Sequence, residues 1–227
     1  MAKAKSAGNV IELTLSRKEY TRPRPPAGFL DIDNLDKWFL VARDVEQWLR
    51  SVFVNPGSPI ENPDHAHLQD AKIGVLWTIA QNRRHGLQVL AQVEFGKTIG
   101  GMGKMAKARA HEQLREWFGE TPDFLLTIDA EYAANCADDE FCALVEHELY
   151  HMGQAKDEFG APAFTRSGLP IFAMRGHDVE EFVGVVGRYG ASATRTAELV
   201  QAANRGASIS SVRIAQACGT CLERRVA

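Results

Sequence analysis

Apolar residues along the chain recur at a few regular spacings. From about Asn34 to Val54, Leu35, Trp38, Phe39, Ala42, Val45, Trp48, Leu49 and Val52 form a stripe at three- and four-residue steps. That spacing predicts an amphipathic helix, closed by Pro56-Gly57. Leu68, Ala71, Val75, Leu76 and Ile79 predict a second helix from about His65 to Gln81. Leu87, Val89, Ala91, Val93 and Phe95 alternate, which predicts a strand. A glycine-rich turn at 96–103 precedes a helix expected from about Lys104 to Phe118, and a strand is expected near 123–130. Phe141, Leu144, Val145, Leu149 and Met152 return to helical spacing behind Asp138-Asp139-Glu140. Those acidic residues suit the positive end of a helix dipole, with Asp138 as the expected N-cap. A loop or hairpin is expected near 160–173, then a helix opening at Gly176-His177, then one near 192–204 ended by Arg205-Gly206.

These elements predict one α+β domain over 30–204, with a small β-sheet packed on the helix at 138–152 and several further helices. Residues 1–29 read as a flexible basic tail bearing Arg22-Pro23-Arg24-Pro25-Pro26, and 205–227 as a tail of uncertain structure. An apolar fraction of 45% is enough for a core without disulfide staples. A net charge of −3 offers no global electrostatic case for nucleic acid. No apolar run approaches transmembrane length, and no apolar segment follows the basic start, so the expected compartment is the cytoplasm.

The residues with the most chemistry are His147-Glu148-Leu149-Tyr150-His151, the pattern H-E-x-x-H. Positions four apart share a helix face, so both imidazoles reach one metal ion. Glu148 then addresses a water at that metal as general base, the arrangement of a zinc metallopeptidase. Tyr150 points off the ligand face and is expected to have no chemistry. A catalytic zinc takes three protein ligands. Asp157 stands at the metzincin spacing, but Gln154 occupies the glycine position of that pattern. Gly176-His177-Asp178-Val179-Glu180-Glu181-Phe182 offers better candidates. The suitability of imidazole for zinc favours His177, expected in the first turn of a helix. Glu180 or Glu181 would replace it in a gluzincin. Asp178, Glu180 and Glu181 are candidates to orient a ligating imidazole, and Tyr189 to reach the oxyanion.

The pair H-E-L-Y-H and G-H-D-V-E-E-F-V-G-V-V resembles the putative phage metallopeptidase family. It is also distantly similar to the SprT-like metalloproteases, although Phe182 follows His177 by five residues where that pattern has four. The resemblance implies a zincin-like fold, peptidase chemistry on peptide or protein substrates, and, for a phage-encoded chain, the host cytoplasm. A zinc-stabilised binding or DNA-associated module without turnover is the alternative, and a non-peptidase hydrolase on the same zinc is a further one.

Other motifs carry less. Cys218-Gly219-Thr220-Cys221 is one tight pair, whereas Cys136 and Cys142 are five residues apart, so ordinary thiols are expected and a second zinc at Cys218 and Cys221 is the alternative. Ala91-Gln92-Val93-Glu94-Phe95-Gly96-Lys97-Thr98 satisfies a relaxed phosphate-loop pattern, but it continues a strand and sets a glutamate in the cradle. Lys97, Lys104, Lys107 and Arg109 form a local basic patch, read as a solvated helix face, with a DNA-facing surface as the other possibility. His65 and His67, two apart, are expected to be surface histidines.

Overall fold

The computed structural model describes residues 21–31, 37–84, 87–97, 103–179, 186–188, 190–191 and 196–208. Its centre is a four-stranded sheet built from β1 (Phe39–Val41), β2 (Ile73–Thr78), β5 (Ala91–Phe95) and β6 (Phe124–Asp129). The spatial order is β1-β2-β6-β5, with β2 and β6 parallel and both outer strands antiparallel to their neighbours. A small hairpin joins β3 (Arg83–Arg84) to β4 (Leu87–Gln88). The chain is α+β, with one small mixed sheet and several helices.

Both faces of β2 and β6 are covered. Val75, Trp77, Phe124, Leu126 and Ile128 face the main core, shared with α1 (Arg43–Leu49) and α4 (Asp138–His151). Leu76 and Leu125 face the other way, onto Leu114, Trp117 and Phe118 of α2 (Lys104–Phe118). Gly74 permits that contact, since a Cβ there would lie 2.9 Å from the Phe118 ring. Within the main core the Phe141 ring of α4 lies 5.4 Å from Trp48 and 6.1 Å from Trp77.

Two expected helices are corrected by this sheet. Trp38 and Phe39 are not on a helix: Phe39–Val41 is the edge strand, and helix begins only at Arg43, continuing through a π-helical stretch, Arg50–Val54. The second expected helix divides into a 3₁₀ segment, Pro63–Asp70, and strand β2. A strand buried on both faces is apolar at successive positions, and such a run also fits a helical stripe. Helix α2 and strand β6 lie where a helix and a strand are expected. The strand expected over 87–95 is interrupted between β4 and β5. Asp138 is the first helical residue of α4 rather than its N-cap; Ala137 holds that position and donates its N–H to Glu140 Oε2.

A short helix, α3 (Ala130–Asn135), links β6 to α4, and its end is held by the arginine-proline segment. Arg22 is buried there. Its guanidinium donates to Asp138 Oδ1, to the Ala133 carbonyl and to the Cys136 carbonyl, and lies 4.8 Å from the Phe141 ring centre. This part of the expected flexible leader is docked.

After α4 the chain turns directly into β7 (Met152–Gln154), paired with β8 (Phe172–Met174), so the expected hairpin starts earlier than its sequence suggests. Between them, N–H groups of Ala155, Ala163 and Ile171 donate in a ring, to Ile171, Ala155 and Ala163 respectively. Gly160 and Gly168, both at φ 81°, make the two turns that this requires. Further on, α5 (Ala197–Arg205) ends at Gly206 as expected.

Candidate metal centre

Helix α4 places its apolar stripe, Phe141, Leu144, Val145 and Leu149, in the core, which carries His147 and His151 to the end facing β8. Their Nε2 atoms stand 3.2 Å apart. His177 comes from the segment after β8, and its Nε2 lies 3.4 Å from that of His147. Ligand atoms of the three histidines all lie within 4.8 Å of one another. Nitrogens bound tetrahedrally at about 2.1 Å would be about 3.4 Å apart, so the spacing suits one zinc-sized ion.

His151 fixes this arrangement. Its carbonyl accepts the Arg175 N–H at 3.0 Å, and its ring Nδ1 lies 2.7 Å from the Arg175 carbonyl. A carbonyl only accepts, so Nδ1 carries the proton and Nε2 presents its lone pair to the cluster. The register Met152↔Met174 and Gly153↔Ala173 sets Arg175 opposite His151. Gly153 is needed for that closeness, since a Cβ there would meet the Ala173 carbonyl and the Arg175 Cβ, each at 3.1 Å. The expected position of His177 is corrected accordingly. Residues 175–179 are irregular, so the strand pairing, not a helix turn, delivers the third imidazole.

The other candidates separate clearly. Glu148 is fully buried on α4 beside His147. Asp157 accepts the N–H groups of Phe159 and Ala161 and caps a hairpin turn away from the cluster. Asp178 pairs with Arg175. Glu180, Glu181, Tyr189, Cys218 and Cys221 lie outside the described residues. Burial raises the Cys136 thiol and pushes that of Cys142 up to about 12, so both are protonated at neutral pH and make poor ligands. Lys97 pairs with Asp123, which uses its charge away from any phosphate.

Two expectations about neighbouring residues are overturned. His65 is buried, not on the surface, and His67 is half-buried with Nε2 2.7 Å from the Met152 carbonyl. Tyr150 is not remote from the ligand face: with Asp64, Arg175, Gly176 and Asp178 it lines a cavity of about 290 Å³ over the histidines. Its hydroxyl accepts from Asn62 Nδ2 at 2.9 Å and donates to Asp64 Oδ2 at 3.2 Å. Burial raises the Tyr150 phenol, so it stays a neutral donor. Asn62-Pro63-Asp64 was the available signal: Asn62 accepts the Asp64 N–H as N-cap, and Pro63 opens the 3₁₀ turn that brings Asp64 and His65 here.

A family model described as putative phage metallopeptidase matches residues 39–204. No curated protein and no solved structure matches the chain.

Proposed function

The chain belongs to the putative phage metallopeptidase family, and on that premise we propose that it is a zinc-dependent peptidase whose zinc is held by His147, His151 and His177. The observation that carries the reading is the convergence of three imidazole Nε2 atoms, with the His151 proton spent on the Arg175 carbonyl. A set of three neutral nitrogens suits zinc and leaves a position for water. We read the sheet and α4 together as a zincin-like arrangement.

Zinc bound there supplies Lewis acidity toward a water and toward the scissile carbonyl. The chain supplies the proton transfers. Glu148 takes the proton of the attacking water on a carboxylate oxygen, and the water oxygen bonds to the carbonyl carbon. Glu148 then gives that proton to the amide nitrogen as the carbon–nitrogen bond breaks, leaving a carboxylic acid and an amine, and the acid passes its proton to the amine through water. Arg175 orients His151 through its backbone rather than through its charge. Peptides or proteins in the cytoplasm are the proposed substrates, and no nucleic acid is required by this chemistry.

The test pairs metal analysis with a peptide-cleavage assay. Wild type carries one zinc per chain and cleaves. Glu148→Gln keeps the zinc and loses about 10²- to 10⁴-fold in rate, the usual worth of a general base. Equal activity in the two proteins would remove the mechanism. A zinc-loaded wild type that cleaves no peptide would leave a binding module.

A further inference from the structure

A second cavity, of about 580 Å³, lies beside the histidine cluster. It shares Asp64, Tyr150, Arg175 and Asp178 with the smaller cavity over the imidazoles. Its volume is in the range of sites that hold small ligands or side chains. Tyr150 lines both, and it is held at its hydroxyl and at its ring. Asn62 and Asp64 fix its hydroxyl. The His65 ring meets the Tyr150 ring edge-on at 4.7 Å, and the Arg175 guanidinium lies 5.4 Å from its centre.

The chemistry of the larger cavity is mixed and its formal charges balance, Asp64 and Asp178 against Lys156 and Arg175. Ala155, Pro162, Ala173 and Met174 give apolar surface, backed by the buried Leu149 and Met152. Of the charged groups, Arg175 is paired with Asp178 at 2.7 Å, while Asp64 accepts from the Tyr150 hydroxyl and keeps its charge at the exposed rim. Lys156 is exposed at the hairpin, where water screens it. His65 is buried and neutral at physiological pH. A charged side chain entering here would meet no uncommitted buried counter-charge, whereas an aromatic or amide-ended one meets apolar surface and polar edges.

We propose that this cavity is a side-chain subsite of the peptidase, which takes a large uncharged residue of the substrate next to the cleaved bond, with Tyr150 as the specificity-determining wall. The proposal rests on the peptidase reading above. Ala155 is the place to test it. Its backbone donates to Ile171 and accepts from Ala163, bonds that any L residue keeps, so a larger side chain changes mainly the space.

The experiment profiles zinc-loaded wild type and Ala155→Trp on a decapeptide library, and measures binding of the same peptides to Glu148→Gln with and without Ala155→Trp. Wild type should favour Tyr, Phe, Trp or Gln at one position. Ala155→Trp should lower kcat/KM for those peptides by at least about tenfold relative to Gly or Ala at that position, with zinc content unchanged. Ala155→Leu should act in between, and it serves if the Trp variant does not fold. An unchanged preference in both variants overturns the subsite. A wild-type preference for Asp, Glu, Lys or Arg at that position overturns its chemical class. If nothing is cleaved, yet Glu148→Gln binds large uncharged peptides and loses them with Ala155→Trp, the subsite stands and the peptidase reading falls. Neither cleavage nor such binding overturns both.

Discussion

Burial lowers the His65 imidazole from 6.5 to about 4, with His67 adding to the effect, Asp64 opposing it and Arg175 contributing least. The unfolded chain therefore binds the extra proton between pH 6.5 and about 4, and the folded chain does not. Stability should fall as pH drops through that window, by about 3 kcal/mol at its end. Denaturant titrations of metal-free protein at pH 7, 5.5 and 4.5 should show a shallower slope for His65→Phe than for wild type. Parallel slopes would mean that His65 protonates freely in the fold. The third ligand allows a second single-residue test. His177→Ala should empty the site in chelator competition. Glu180→Ala or Glu181→Ala should weaken zinc by at most about 10- to 100-fold, as expected of a supporting group. The reverse order would make the protein gluzincin-like. Sequence made His147 and His151 legible because both lie on one helix. It favoured His177 by chemistry but misjudged its local structure, because a backbone pairing to a distant strand has no local signature. His65 and Tyr150 were misread for a related reason: their surroundings come from the joining of the 3₁₀ segment to α4.

At the scale of elements, a wet face marks the period of α2, whereas β2, dry on both faces, was misread for want of one. α2 shows an amphipathic repeat because only Leu114 is fully buried. β2 is buried at every position from Ile73 to Thr78, so polar residues mark neither period. The junction of α3 and α4 gives an energetic test. Arg22 has a side chain 1% exposed, and removing it strands the Ala133 and Cys136 carbonyls. Arg22→Ala should cost about 2 to 3 kcal/mol, given the worth of hydrogen bonds to charged groups. Arg24 makes similar bonds at 51% exposure, so Arg24→Ala should stay within about 0.5 kcal/mol. Urea midpoints at constant m separate the two. Equal losses would mean that burial of the guanidinium is not what holds the segment.

For the whole molecule, a metal at the cluster would tie α4 to the chain beyond β8, so removing it should be felt globally. With metal at about 1,000 times its Kd, binding adds about 4 kcal/mol. In a chain of this size that is a Tm drop of about 8 to 16 °C on chelation. Cys218→Ser with Cys221→Ser should leave the drop intact, and its disappearance in that variant would place the metal elsewhere. The ring of hydrogen bonds through Ala155, Ala163 and Ile171 has its own consequence. It anchors the chain on both sides of each turn, so the turns at Gly160 and Gly168 hang outside the part that aligns His177 with His151. Lengthening such a loop is thermodynamically mild, about 0.6 kcal/mol per doubling. The number of residues between the second and third histidines should thus tolerate change at little cost. Relatives would be recognised by a histidine two residues past the strand partner of the second one, and a fixed-length pattern would pass them by.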